Sequence, residues 1–228
     1  LDSFRKVLMS SGGSQEALSF LMGTPIAKAM EVEMLNTVLR SLRAALAAQA
    51  AVTHDATDGT LASSDLNTGL SKMGDAYAQV AAWVMHSKVF FDLVGYQIDP
   101  SNHGDNIAGV VVQGASPATF GRPVIVTDSP ALITDVGTSS VPSLVYHSLG
   151  LVPGAGVAEN SESEFITYDE VTGLENIVAR LQGEYAYNIG VKGFKYNTSG
   201  GGVNPADTAI GTGSNWTPVA TSHKDYAG

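Results

Sequence analysis

From Ile26 to Asp58 the chain has neither Gly nor Pro, and no other feature of the sequence constrains its fold as strongly. Thr24 and Pro25 precede this stretch. Thr24 can cap free helix amides, and Pro25 suits the first helical position, where its missing N–H has no intrahelical partner anyway. Val32, Leu35, Leu39, Leu42 and Leu46 then recur at alternating steps of three and four, and Met30, Met34 and Val38 widen the stripe. A helix from Pro25 to Ala51 with one buried face is expected. At ~1.5 Å per residue it runs to about 40 Å, a spine that braces a wide body and does not fit inside a small globule.

Thr53 to Ser64, rich in Thr, Asp, Ser and Ala, reads as a loop. A second helix is expected after it, capped by Ser64 or Asp65, with Leu66, Leu70, Met73, Tyr77, Val80 and Val84 on one face and running into Met85-His86-Ser87. Short strands follow at Ile107 to Val112 and Pro123 to Thr127, the latter ended by Asp128-Ser129-Pro130. Between Ile177 and Val191 two periods compete. Val171, Leu174, Val178 and Leu181 fit a helix, but Ile177, Ala179, Leu181, Tyr185, Tyr187, Ile189 and Val191 all fall on odd positions, so period two covers more residues and strands are expected. Beyond Gly193 the apolar positions become even (Phe194, Tyr196), a slip that a bulge at Gly193 explains. Thr198 to Gly202 and Asn204-Pro205 read as a flexible loop, and no solenoid repeat occurs.

Composition excludes several chemistries. The 228 residues contain no Cys, which removes disulfide scaffolds, thiolate metal clusters and thiol catalysis. The net charge of −10 argues against a protein that grips phosphate backbones through a basic face. No apolar run approaches the ~20 residues that span a bilayer, and Leu1 to Ser10 lack the apolar core of a signal peptide.

Catalytic patterns are equally thin. The nearest fragments to a nucleophile elbow, Gly137-Thr138-Ser139-Ser140 and Gly211-Thr212-Gly213-Ser214, lack its closing Gly. His54, His86, His103, His147 and His223 are too widely spaced for zinc ligands on one helix or finger. His103-Gly104-Asp105-Asn106 reads as a turn without the regular oxygens of a cation loop. His86 reads as a hydrogen-bonded residue at a helix C-terminus. Gly150 to Gly156 offers a G-x-G without the third Gly or the following helix of a dinucleotide site, and reads as a loop. Asn197-Thr198-Ser199 and Asn215-Trp216-Thr217 match the glycosylation pattern, which arises often by chance. No catalytic, cofactor-binding or metal residues are assigned, and no enzyme activity or cofactor is expected.

The segment from Glu159 to Glu184 carries Glu159, Glu162, Glu164, Asp169, Glu170, Glu175 and Glu184 against Arg180 alone, a net charge of −6. It reads as a solvated strand face, or as a rim that meets a basic partner or repels packaged polyanion. Phe90, Phe91, Tyr96, Trp216 and Tyr226 look like exposed aromatics suited to contacts between subunits, although core packing would account for several of them.

Four stretches, in order, resemble the major capsid proteins of tailed bacteriophages with the HK97-type fold. They are GDAYAQVAAWVMHSKVFFDL from Gly74 to Leu93, FGRPVIVTDSP from Phe120 to Pro130, YHSLGLVPGAGVAENSESEFITY from Tyr146 to Tyr168, and GSNWTPVATSHKDYAG from Gly213 to Gly228. The Gly74-Asp75 pair followed by Met85-His86-Ser87 is the most specific of them. The resemblance implies an α+β, HK97-like capsid fold with a long spine helix, a peripheral domain and an axial domain. Residues 1–24 would end an N-terminal arm and extended-loop region, 25–65 and 192–228 would form the peripheral domain, and 66–191 the axial domain. Only Leu1 to Gly23 precede the expected spine, too few for both an arm and an extended loop, so either this piece lacks them or the arm is reduced. The Lys and Asn that cross-link some members match no position here.

As implied by the resemblance, the chain is a structural subunit that assembles with itself, as hexamers and pentamers, into an icosahedral shell around double-stranded DNA. Scaffolding, portal or decoration proteins are further partners, the DNA is enclosed without specific binding, and no membrane is involved. The place is the virion, assembled in the bacterial host cytoplasm. Two alternatives stay open: an encapsulin-like nanocompartment shell, and a monomeric α+β ligand-binding or hydrolase domain.

Overall fold

A computed structural model of the 228-residue chain describes residues 15–57, 59–98, 119–138, 141–161, 165–171 and 178–228. The strand expected at Ile107 to Val112 and the turn at His103 to Asn106 lie outside them. The chain divides into two compact units at residues 36 and 37. Of the first, the described part is helical throughout.

The spine helix exists, but its bounds differ from those expected: α1 spans Gln15–Ala47, and Pro25 lies inside it. Neither Thr24 as cap nor Pro25 at the first position holds. Good helix formers predominate from Gln15 to Met22 and carry the helix upstream, against the lost i to i−4 bond and the ring clash that an interior Pro brings. At the other end the helix stops four residues early. Gln49 N donates to Leu46 O at 2.9 Å, and Thr53 Oγ1 donates to the same carbonyl at 2.9 Å, satisfying a terminal acceptor. Leu39, Leu42 and Leu46 are buried as the stripe requires, whereas Val32 and Leu35 are half exposed. The buried face therefore belongs to the C-terminal part of α1.

The second helix is shorter than expected. α2 is Ser63–Lys72, followed by a 3-10 turn Gly74–Gln79, and Val84 and Met85 belong to a strand, β1, Ala82–Met85. Ala62 is the N-cap. Neither Ser64 nor Asp65 holds that position, but the Asp65 carboxylate reaches back to accept the Ala62 amide at 2.9 Å. Gly74, at φ 57°, stops the helix. Leu66, Leu70, Met73, Val80 and Val84 are buried whichever element holds them, whereas Tyr77, expected on the same face, is half exposed, so the helical period survives across a helix, a 3-10 turn and a strand at all but that position.

β1 is the central strand of a three-stranded sheet. It runs parallel to β2 (Val124–Val126) with Trp83 opposite Val124, and antiparallel to β5 (Leu149–Leu151) with Trp83 opposite Gly150. A parallel pair needs a crossover, and α3, Ser87–Ile98, lies in that connection. Gly150 is thus a strand residue, where a loop was expected. A Cβ there would come within 2.8 Å of the Trp83 indole, so Gly lets the ring lie across β5. Ser129 closes β2 as the Asp128-Ser129-Pro130 signal suggests: its Oγ accepts the Ala131 amide at 3.2 Å and opens a 3-10 turn, Pro130–Leu132.

Four two-stranded pairs complete the sheets. β3 (Ile133–Asp135) pairs with β4 (Leu144–Tyr146), β6 (Gly156–Asn160) with β9 (Tyr187–Val191), β7 (Phe165–Val171) with β8 (Val178–Glu184), and β10 (Phe194–Tyr196) with β11 (Trp216–Pro218), all antiparallel. The period-two reading of residues 178–191 therefore holds. The phase slip at Gly193 is a turn, not a bulge: Lys192 and Gly193 carry the chain from the β6–β9 pair to the β10–β11 pair. Gly193 has φ 83°, and an added Cβ would lie 3.0 to 3.2 Å from Tyr226 and the Asp225 carbonyl. Only Gly fits. The expected loop after it contains a helical turn, α4 (Thr198–Gly201), because Asn197 accepts the Ser199 amide and caps it. A second such turn, α5, is Asp207–Ile210.

The core joins Leu39, Leu42 and Leu46 of α1 to Leu70, Trp83, Met85, Leu132, Leu149, Phe194 and Trp216. Burying each such side chain contributes roughly 1.5–3 kcal/mol. β6 sits close on the spine: a Cβ at Gly156 would meet Val38 Cγ1 at 2.7 Å. Arg43 ties the spine to the next layer by donating to Ala131 O and Ile133 O at 2.9 and 3.0 Å.

Candidate assembly surfaces

Ser139, Ser140 and His103 lie outside the described residues; several of the other residues weighed as catalysts have structural work. Gly137 and Thr138 form the tip of the β3–β4 hairpin, where the Asp135 carboxylate accepts the Gly137 and Ser143 amides, each at 2.9 Å. The Gly211 to Ser214 fragment ends α5 and enters a 3-10 turn. His147 is half-buried and its Nε2 lies 2.9 Å from Thr134 Oγ1. Burial, and then the positive charge of Arg43, push the His147 pKa down. His54 lies 3.4 Å from Asp65. Among the described residues, no group of three or more His, Asp or Glu is placed to hold a metal ion.

Met85-His86-Ser87 is a strand-to-helix corner. Met85 is fully buried in the core. His86, expected at a helix C-terminus, stands instead before the first residue of α3, because β1 intervenes. Its Nδ1 accepts the Lys88 amide at 3.2 Å, an N-cap made by imidazole, and its ring packs edge-on to Tyr146 at 5.0 Å. Lys88 also reaches the Asp92 carboxylate at 2.6 Å, and that bond raises the Lys88 pKa.

The surface, not the interior, carries the unspent features. Of the aromatics expected outside, only Phe91 is largely exposed. Trp216 and Tyr226 are core residues, and the Trp216 Nε1 donates to Ile210 O at 2.9 Å. Phe90 and Tyr96 are half-buried. In their place stand Tyr77 and Phe120, both substantially exposed. They flank a shallow groove of about 200 Å³ floored by Leu70 and walled by Arg122. Arg122 donates to Tyr77 O and Val80 O, both at 2.7 Å, capping the Gly74–Gln79 turn, and lies over the Tyr77 ring at 5.8 Å.

Phe120 itself has φ 55° and is followed by Gly121 at φ 74°, a tight turn closed by the Arg122 amide on Thr119 O at 3.2 Å. A bulky residue in the left-handed region is uncommon and costs about 1–2 kcal/mol. No sequence pattern marks this conformation at Phe120, which enters the sequence reading only within the stretch FGRPVIVTDSP. A second apolar area lies at the β3–β4 tip, where Val136, Val141 and Leu144 are 62%, 67% and 52% exposed. Ile125 and Val126 of β2 add to the exposed apolar surface.

Exposed apolar side chains of this kind suit a surface that other protein covers. Over residues 5–228 the sequence matches the family model described as Gp13-like, major capsid protein 13-like, and the chain belongs to that family of phage major capsid proteins. No curated protein matches it. The chain is therefore a structural capsid subunit and a virion component, of mixed α+β architecture, and membership of a capsid family implies self-assembly into a shell. Neither the encapsulin-like nor the monomeric alternative gains support. No described helix is long and apolar enough to cross a membrane.

Proposed function

We propose that the subunit adopts an HK97-type topology and closes, through hexamers and pentamers, into an icosahedral shell around double-stranded DNA. The match to a capsid family over nearly the whole chain carries this reading. In it, residues 25–65 and 192–228 form the peripheral domain and 66–191 the axial domain. Support for that grouping comes from the C-terminal segment packing on the end of the spine: a Cβ at Gly213 would touch Ala44 O and Ala48. Arg40 also pairs with Asp207.

Its role is geometric. Each interface buries on the order of 1,000 Å² or more, and many such contacts act together. The chain itself turns over no substrate in this reading. The charge of −10 leaves enclosed DNA mobile; tight, salt-sensitive DNA binding by the isolated subunit in a gel shift would contradict that part. Assembly takes place in the bacterial cytoplasm, with scaffolding, portal or decoration proteins as further partners. Electron cryo-microscopy of particles from cells expressing the full protein tests the whole: fivefold and sixfold rings on a closed shell are expected, and a helical or open assembly would refute it.

A further inference from the structure

We propose that the groove between Tyr77 and Phe120 receives the β7–β8 hairpin of a second copy of this chain, with Phe165 seated against the two rings and Glu184 facing Arg122. The inference rests on the reading of the chain as a self-assembling shell subunit.

The groove's own chemistry comes first. At about 200 Å³ it is smaller than the roughly 300–1,000 Å³ of small-molecule sites, and suits one inserted side chain. Its rim holds an aromatic in a backbone conformation better suited to Gly, and the ring is left substantially exposed. An aromatic held at such a cost on the surface is explained when a partner covers it. Its polar wall is Arg122, whose described partners are the carbonyls of Tyr77, Val80 and Phe120. Among the described residues no carboxylate pairs with it, in a chain with 22 Asp and Glu against 12 Lys and Arg. The groove therefore offers aromatic surface beside a positive charge that no carboxylate among the described residues pairs with.

The hairpin offers the complement. Phe165 is 67% exposed, and Glu184 stands directly opposite it in the antiparallel register and is exposed too. Directly opposed residues share one face, so an aromatic and a carboxylate stand side by side there. The segment from Glu159 to Glu184 is also the most acidic of the chain. Charge complementarity selects this occupant over the β3–β4 tip, where the carboxylate of Asp135 is already taken by two backbone amides. Each ring contributes up to ~150–250 Å² of contact, so this is a central anchor of a larger interface.

Because the chain has no cysteine, a pair of introduced thiols reports the contact without background. Phe120→Cys with Phe165→Cys, assembled and mildly oxidised, is expected to give disulfide-linked multimers on a non-reducing denaturing gel. Either single change is expected to give none. Glu184→Arg, at an exposed position, is expected to raise the protein concentration needed for assembly at least about fivefold while leaving the melting temperature unchanged. Particles that form normally but show neither cross-link nor concentration shift overturn the contact and leave the shell reading standing. Unaltered protein that never forms particles overturns the shell reading, and the contact falls with it.

Discussion

Three glycines separate the two costs that a methyl group can incur in this fold. Gly193 and Gly154 both have positive φ, 83° and 71°, but an added Cβ has nothing within 4 Å at Gly154, whereas at Gly193 it lies 3.1 Å from Tyr226 Cα and 3.2 Å from the Asp225 carbonyl. Gly190, in β9, has neither positive φ nor a neighbour within 4 Å. An L-residue in the left-handed region costs about 1–2 kcal/mol. Overpacking against backbone that cannot swing aside adds about 1–3 kcal/mol. Gly154→Ala should therefore destabilise by about 1–2 kcal/mol, and Gly193→Ala by about 2–5 kcal/mol. Gly190→Ala should be neutral, or stabilising by up to about 1 kcal/mol, because it restricts the unfolded chain. Thermal melts of the unassembled subunit read these as about 2–4 °C per kcal/mol for a chain of this length. Equal losses at positions 154 and 193 would refute the close seating of the C-terminal segment over the turn that leaves β9.

Other perturbations address the spine and the half-buried histidine. Leu42→Ala, at a side chain 2% exposed, should cost about 2–5 kcal/mol in urea unfolding with an unchanged denaturant slope. Trp216→Phe leaves the Ile210 carbonyl without its indole donor and should cost about 1–3 kcal/mol by the same assay. His147 has a folded pKa below its ordinary 6.5, first from burial and then from Arg43. The unfolded chain therefore takes up the proton first, so its contribution is complete above about pH 6.5 and declines as pH falls toward the folded pKa. Melting temperature against pH should drop across that window, and His147→Gln should flatten the drop; an identical slope in the variant would contradict the assignment.

What could be read from the sequence follows from how local each signal is. The spine was legible because Leu39, Leu42 and Leu46 repeat at helical spacing without interruption, and the β8 and β9 strands because seven apolar residues share one parity. The helix start was misplaced because Pro25 is a strong local signal that good helix formers upstream override. The stretch from Tyr77 to Val84 was misread as helix because Val80 and Val84 keep helical spacing and burial while the backbone changes from 3-10 turn to strand; pairing with Val124 and Gly150, distant in sequence, decides that. Trp216 and Tyr226 looked exposed for the same reason, their cover being residues far along the chain, including Phe194 against Tyr226. The Phe120 groove was invisible because it needs a backbone angle and two segments far apart in the chain. Resemblance to capsid proteins supplied the class of function, which no side-chain pattern encodes.

Whether the exposed apolar surface of this chain exists to be covered by copies of itself is decided by sedimentation velocity of the purified full-length protein over a wide concentration range. Fast-sedimenting closed particles or discrete rings, growing with concentration, are the expected result. A single subunit-sized species at every concentration would contradict it.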